Sequence, residues 1–369
     1  MSKKLITAIA LAAIATSGLM IFESCNSSSG QQGNVLLPDV TLSNDKSVKT
    51  KLSEIFDDFK VVQLSTSDST LISTREIKIF KRNGIFYIQS ANDIYQFDKN
   101  GVYLSALKRN GNGPGEYTGI NDFDIVKRDG KTEIWVASMK NILRYDAANL
   151  EYLGDIQEDF FVNQIKYVND STIFCTTNEN KYFRVIDIDG KQKGEYFDVD
   201  FPNSLQRQHG FKIHDGYVTY QFSNSDEAMT YSIDKKEVGI THILPMEDYF
   251  ETMAIGDEYY EKYDMKFGSM LAEKYVEITN YQQLGDKTTV TSRWPDKKWK
   301  YTVGGKGIES ATYTYFPESE SLIENDILTD ADPRLLATQV CSDSDDSILF
   351  IDEYSEDSNP RLLEVFKLK

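Results

Sequence analysis

The sequence predicts an all-β chain built from one repeated hairpin unit, and three observations carry that prediction. Short runs of alternating apolar and polar residues recur along most of the 369 residues. Asn-Gly and Asp-Gly pairs separate these runs at hairpin spacing, at Asn83-Gly84, Asn100-Gly101 and Asp129-Gly130. The 22 Tyr and 20 Phe stand against 8 Pro, a balance that favours strands over helices.

The first unit reads Ile77-Lys-Ile-Phe-Lys-Arg-Asn-Gly-Ile-Phe-Tyr-Ile-Gln89, then Asp93-Ile-Tyr-Gln-Phe-Asp98, then Val102-Tyr-Leu-Ser-Ala-Leu107. Under it lies Phe123-Asp-Ile-Val-Lys-Arg-Asp-Gly-Lys-Thr-Glu-Ile-Trp-Val136, with Ile142-Leu-Arg-Tyr-Asp146 and Glu151-Tyr-Leu-Gly-Asp-Ile156. The third and fourth units start at Ile165 and Phe211. The turn after the first strand falls at residues 84, 130, 170 and 216. That spacing suits a four-stranded blade, whose repeat is about 40–45 residues. Gly285-Asp286 and Asp345-Asp346 mark the same turn in a fifth and a sixth unit. Between the fourth and fifth, residues 247–278 read as an insertion, either short helices or an outer strand.

Six such units predict a six-bladed β-propeller with four-stranded antiparallel blades. The last unit stops after three strands, and an open outer edge invites pairing. Phe59-Lys-Val-Val-Gln-Leu64 alternates correctly and has no other obvious partner. It is expected to close the last blade, with Val61–Gln63 beside Glu364–Lys367. The other reading lays it on the first blade.

Residues 1–25 read as an export signal. Lys3 and Lys4 precede an apolar stretch, and Phe22-Glu-Ser-Cys25 is followed by a Ser/Gly/Gln-rich segment. A small residue before Cys, then a polar tether, points to a lipoprotein signal with Cys25 as the lipid-bearing residue. A plain secretory signal or an uncleaved anchor is the alternative. Residues 26–58 would be tether and linker, and 59–369 the propeller. Cys175 and Cys341 fall in different units, so they are expected as free, packed thiols.

Net charge is −18 with a pI near 4.7, which argues against nucleic acid as a partner. The three His residues lack metal-ligand spacing, and neither a nucleophile elbow nor a zinc-type Cys pair occurs. No metal or cofactor is expected. Asp122 and Asp124 lie on one side of a strand near the axis, where a catalytic pair or a calcium site competes with chance in an acidic chain.

The Gly111-Asn-Gly-Pro-Gly-Glu-Tyr117 loop, the Ser358-Asn-Pro-Arg-Leu-Leu363 segment and the Phe366-Lys-Leu-Lys369 terminus resemble those of six-bladed propeller lipoproteins of Gram-negative bacteria. Those proteins are similar in shape to NHL-repeat propellers. The resemblance spans Phe59 to Lys369 and implies architecture and an envelope location, not an activity. That location is an outer membrane, facing the periplasm or the surface.

Two segments could bind. The Gly-rich loop either cradles an anion with Arg109, Glu116 and Tyr117 nearby, or simply links two blades, with Tyr117 in the seam. Arg293-Trp-Pro-Asp-Lys-Lys-Trp299 sets three cations, Arg293, Lys297 and Lys298, and Trp294 and Trp299 around a Pro turn. It is either a site for a glycan, a peptide or an envelope protein, or a cover for blade edges. The sequence therefore predicts a membrane-tethered, non-catalytic binding or scaffolding propeller. The alternative is a propeller hydrolase or lactonase with its site on the axis.

Overall fold

The computed structural model describes residues 40–41, 55–65, 67, 72, 78–177, 179, 181–198, 210–214, 216–221, 227–244, 277–284, 287–293, 299–305, 308–314, 323–324, 327–328, 341–344, 346–352 and 360–369. All lie in one compact unit, Gly33–Lys369. Cys25, Trp294 and nearly all of the 247–278 insertion fall outside the described residues.

Blade 1 is Lys78–Arg82, Ile85–Ser90, Asp93–Asp98 and Tyr103–Leu107. Blade 2 is Asp122–Arg128, Lys131–Ser138, Asn141–Asp146 and Tyr152–Gln157. Blade 3 is Gln164–Asn169, Thr172–Thr176, Lys181–Ile186 and Gln192–Asp198. Blade 4 is Phe211–His214, Tyr217–Gln221, Glu227–Ser232 and Glu237–Leu244, and blade 5 is Glu277–Leu284, Lys287–Arg293, Trp299–Gly305 and Ile308–Thr314. Each is an antiparallel meander in chain order. The expected turns form where the residues allow positive φ, at Asn83 (52°) with Gly84 (75°) and Asp129 (50°) with Gly130 (76°).

Five complete four-stranded blades are present among the described residues, not the six expected. The strands assigned to a sixth form a three-stranded sheet, Phe56–Gln63, Arg361–Leu368 and Ile348–Asp352. Its expected first strand, Cys341–Ser344, pairs instead in parallel with Lys78–Lys81 of blade 1. Alternation encodes which face a residue takes, and both choices of neighbour satisfy it.

The N-terminal strand does enter this closing sheet. Its register differs from that expected: Val61, Val62 and Gln63 lie opposite Leu363, Leu362 and Arg361, while Glu364 faces Lys60. The strand begins at Phe56 and is irregular at Asp58, which brings Phe56 opposite Leu368 and buries both. Upstream, Val40–Thr41 adds a parallel strand to the outer edge of blade 4.

The period of two sorts side chains between seams. Ile79, Phe86 and Ile88 of blade 1 pack against Val62, Leu349 and Leu362 of the closing sheet. Their neighbours Phe80, Tyr87 and Ile94 pack against Phe123, Ile134 and Tyr145 of blade 2. Similar cores join blade 2 to blade 3, blade 3 to blade 4, and blade 5 to the closing sheet.

A second contact recurs at three seams. The turn between the third and fourth strands of one blade rests on the strand end or linker that leaves the preceding sheet. At the first, Gly101 O accepts a hydrogen bond from Ser65 N (2.8 Å), and a Cβ at Gly101 would sit 2.0 Å from Gln63 O. At the second, Arg109 reaches Leu150 O at 3.3 Å, and Tyr145 Oη donates to Gly115 O at 3.2 Å. At the third, Gly190 approaches Gln157 and Glu158.

Candidate functional site

In each blade the first-to-second turn lies at one end, and the second-to-third turn and the interblade linker at the other. The linker face therefore gathers loops from successive blades, the arrangement in which a concave site can form. It carries the Gly-rich loop and the hairpin end at Arg293 and Trp299.

The innermost strands hold a buried ionic network. Asp122 is ion-paired with Lys78 of blade 1, and its other oxygen accepts Ile165 N of blade 3 at 2.8 Å. Asp124 accepts Lys166 Nζ at 3.0 Å and Tyr167 N at 2.9 Å. The two carboxylates thus cap alternate N–H groups on the axis-facing edge of the next blade's first strand, which the sheet leaves unpaired. Burial pushes the Asp122 carboxyl up, against the pull of Lys78. At the closing seam Lys81 bridges Asp346 (2.9 Å) and Glu364 (2.5 Å). No group of three or more potential metal ligands occurs among the described residues.

The Gly-rich loop folds on itself. Glu116 Oε2 accepts Gly113 N at 2.9 Å, so a carboxylate of the loop occupies one of the N–H groups that an anion would use. Gly111 N bonds Tyr117 O, and Tyr117 N bonds Arg109 O. Gly115 holds φ of 71°, and a Cβ there would come within 2.7 Å of the Tyr152 ring. Tyr117 is buried in the seam, its hydroxyl near Asn92 O (3.0 Å) and Leu107 O (3.2 Å), and burial pushes its phenol up to about 12. Glu116 and Tyr117 thus shape this loop, while Arg109 is exposed at its base.

Arg293 and Trp299 are register partners at the end of a hairpin in blade 5. Cys175 is free and buried. The role of Asp122 and Asp124 as caps was missed from sequence, since it depends on a strand some 42 residues away.

Sequence reading also missed a strain on the linker face. Ala91 (φ 51°) and Met139 (φ 55°) occupy the first central position of two-residue turns, and their followers Asn92 and Lys140 do not share the positive φ. Glycine is the usual choice for that position. The opposite face of the same blades uses Asn-Gly and Asp-Gly at three of its turns, and Leu150 (φ 60°) at the fourth.

Five four-stranded antiparallel meanders in sequence, with shared seams and a common linker face, define a β-propeller. The chain belongs to the family described as Domain of unknown function (DUF4934), whose profile matches residues 37–287. Its fold is similar to that of a Bacteroides fragilis NCTC 9343 protein named as exported (TM-score 0.66, 14% identity, covering 90% of this chain and 99% of that one). It is also similar to a DUF4221 family member from Bacteroides vulgatus (TM-score 0.52, 12% identity, 86% and 99%). No curated protein matches the sequence.

Proposed function

We propose that the chain is a lipid-tethered, non-catalytic propeller of the cell envelope that binds a ligand or scaffolds a partner through its linker face. The observation that carries this reading is the use made of the axial carboxylates. An axial hydrolase or lactonase needs acidic groups free to meet substrate or metal. Asp122 and Asp124 are instead committed to lysines and to backbone N–H groups. On the linker face Arg109 is exposed and can meet a carboxylate or phosphate, and the hairpin ending at Arg293 and Trp299 is the expected second source of charge and of rings for a sugar or a peptide. Glu116 and Tyr117 hold the loop that presents Arg109.

The envelope location rests on the signal-like start and on the export named for the Bacteroides fragilis neighbour. Cys25→Ala is expected to move the protein from the membrane fraction to the soluble fraction and to remove the mass of the lipid. Unchanged fractionation and mass would count against the tether.

A further inference from the structure

Glu158 sits in the linker between blades 2 and 3, at the third of the seam contacts described above. Its buried Oε1 has no hydrogen-bond partner, and a Cβ at Gly190 would lie 3.2 Å from it. Gly190 belongs to the turn between the third and fourth strands of blade 3, which Asp187 organises by accepting Lys191 N at 2.9 Å and Asp189 N at 3.1 Å. The other two contacts of this kind are made by neutral groups or by a cation on a carbonyl. This one faces a carboxyl toward a turn built on another carboxylate.

We propose that Glu158 is a proton-operated clasp: protonated, it closes the blade 2 linker onto the turn of blade 3, and ionised, it loosens that contact. The charged and titratable groups around it are known on each side. Asp159 is its chain neighbour, Asp187 lies on the turn with its carboxylate paired to Lys193 at 2.7 Å, and Cys175 lies buried in the second strand of blade 3. Arg184 is the cation that could compensate. Its guanidinium is ion-paired with Asp159 (3.5 Å), Glu179 (3.4 Å) and Glu195 (3.3 Å) and lies on the Phe160 ring at 4.5 Å, although its buried Nε makes no hydrogen bond.

Burial first, then Asp159 and Asp187, push the Glu158 carboxyl up to about 7 against the pull of Arg184. The folded value lies above the unfolded one near 4.5. The stabilising contribution is therefore complete below about 4.5 and is lost as pH rises through about 7. The linker also carries the linker face: Glu158 N donates to Lys140 O and Val162 N to Met139 O, both at 2.8 Å. Loosening the clasp reaches the strained Met139 turn.

Hydrogen exchange of the intact protein at pH 5.5 and 8, corrected for intrinsic rates, tests this. In the wild type, amides of residues 187–191 should open about tenfold more often at pH 8, a limit set by the half-exposed carboxyl. Glu158→Gln should abolish that ratio and hold the low-pH protection at both values. Asp159→Asn, at an exposed site, keeps the carboxyl but removes a like charge, so it should shift the transition to lower pH. An unchanged ratio in Glu158→Gln, or no pH dependence in the wild type, would overturn the proposal.

Discussion

Deleting residues 56–64 abolishes cooperative folding of the propeller at ordinary temperature. Phe56, Val62 and Leu64 are almost wholly buried, and they belong to two different cores, one toward blade 5 and one toward blade 1. Each buried side chain of this kind contributes about 1.5–3 kcal/mol. Three together approach the total stability of a domain, about 5–15 kcal/mol. Removal also exposes the edge of Arg361–Leu368, which pairs with this strand along its length. Loss of Ser65, which bonds Gly101, would follow if the deletion ran one residue further. Circular dichroism should show a broad or absent thermal transition. A sharp melt within a few degrees of wild type would mean that the strand is an accessory to the fold.

Asp124→Ala is expected to cost about 3–5 kcal/mol, the range for removing one partner of a buried ion pair. Lys166 would keep its charge in a side chain only 4% exposed, and Tyr167 N would lose its acceptor. Asp124→Asn retains an acceptor for Tyr167 N and should lose less. Replacing the pair by apolar residues, Asp124→Leu with Lys166→Met, should recover part of the loss, because neither charge is then left behind. Denaturant unfolding of the four proteins gives these differences directly. A loss below about 1 kcal/mol in Asp124→Ala, the range of an exposed pair, would show that the network contributes little.

These residues also show where sequence reading stops. The blade hairpins were legible because a period of two and an Asn-Gly or Asp-Gly turn are local properties, as at Lys78–Arg82 and Ile85–Ser90. The entry of the N-terminal strand into the closing sheet was legible from an unpaired edge. Its register was not, because the irregularity at Asp58 shifts the pairing without disturbing alternation. Nor was the parallel pairing of Cys341–Ser344 with blade 1, which reduces the complete blades to five. Choice of neighbour depends on seam packing among distant strands. The turn-forming character of the Gly-rich loop was legible from its Gly and Pro residues, while the choice between anion cradle and blade link was not. That Glu116 takes the Gly113 N–H required the loop to be folded. Glu158 carries no sequence signal, since its environment is made by Asp187 and Arg184 of the next blade.

The measurement that bears most directly on the proposed binding role is a glycan and peptide panel probed with the wild type and with Arg109→Ala combined with Arg293→Ala. The wild type is expected to retain a ligand bearing carboxylate or phosphate groups, without turning it over. The double variant should bind it at least about tenfold more weakly, the loss of one or more charge-assisted contacts. Its melting temperature should fall by no more than a few degrees, the loss of the exposed Arg109 bond to Leu150 O. Equal affinity in the two proteins, or turnover of the ligand that survives in the wild type, would contradict the assignment of a non-catalytic site to the linker face.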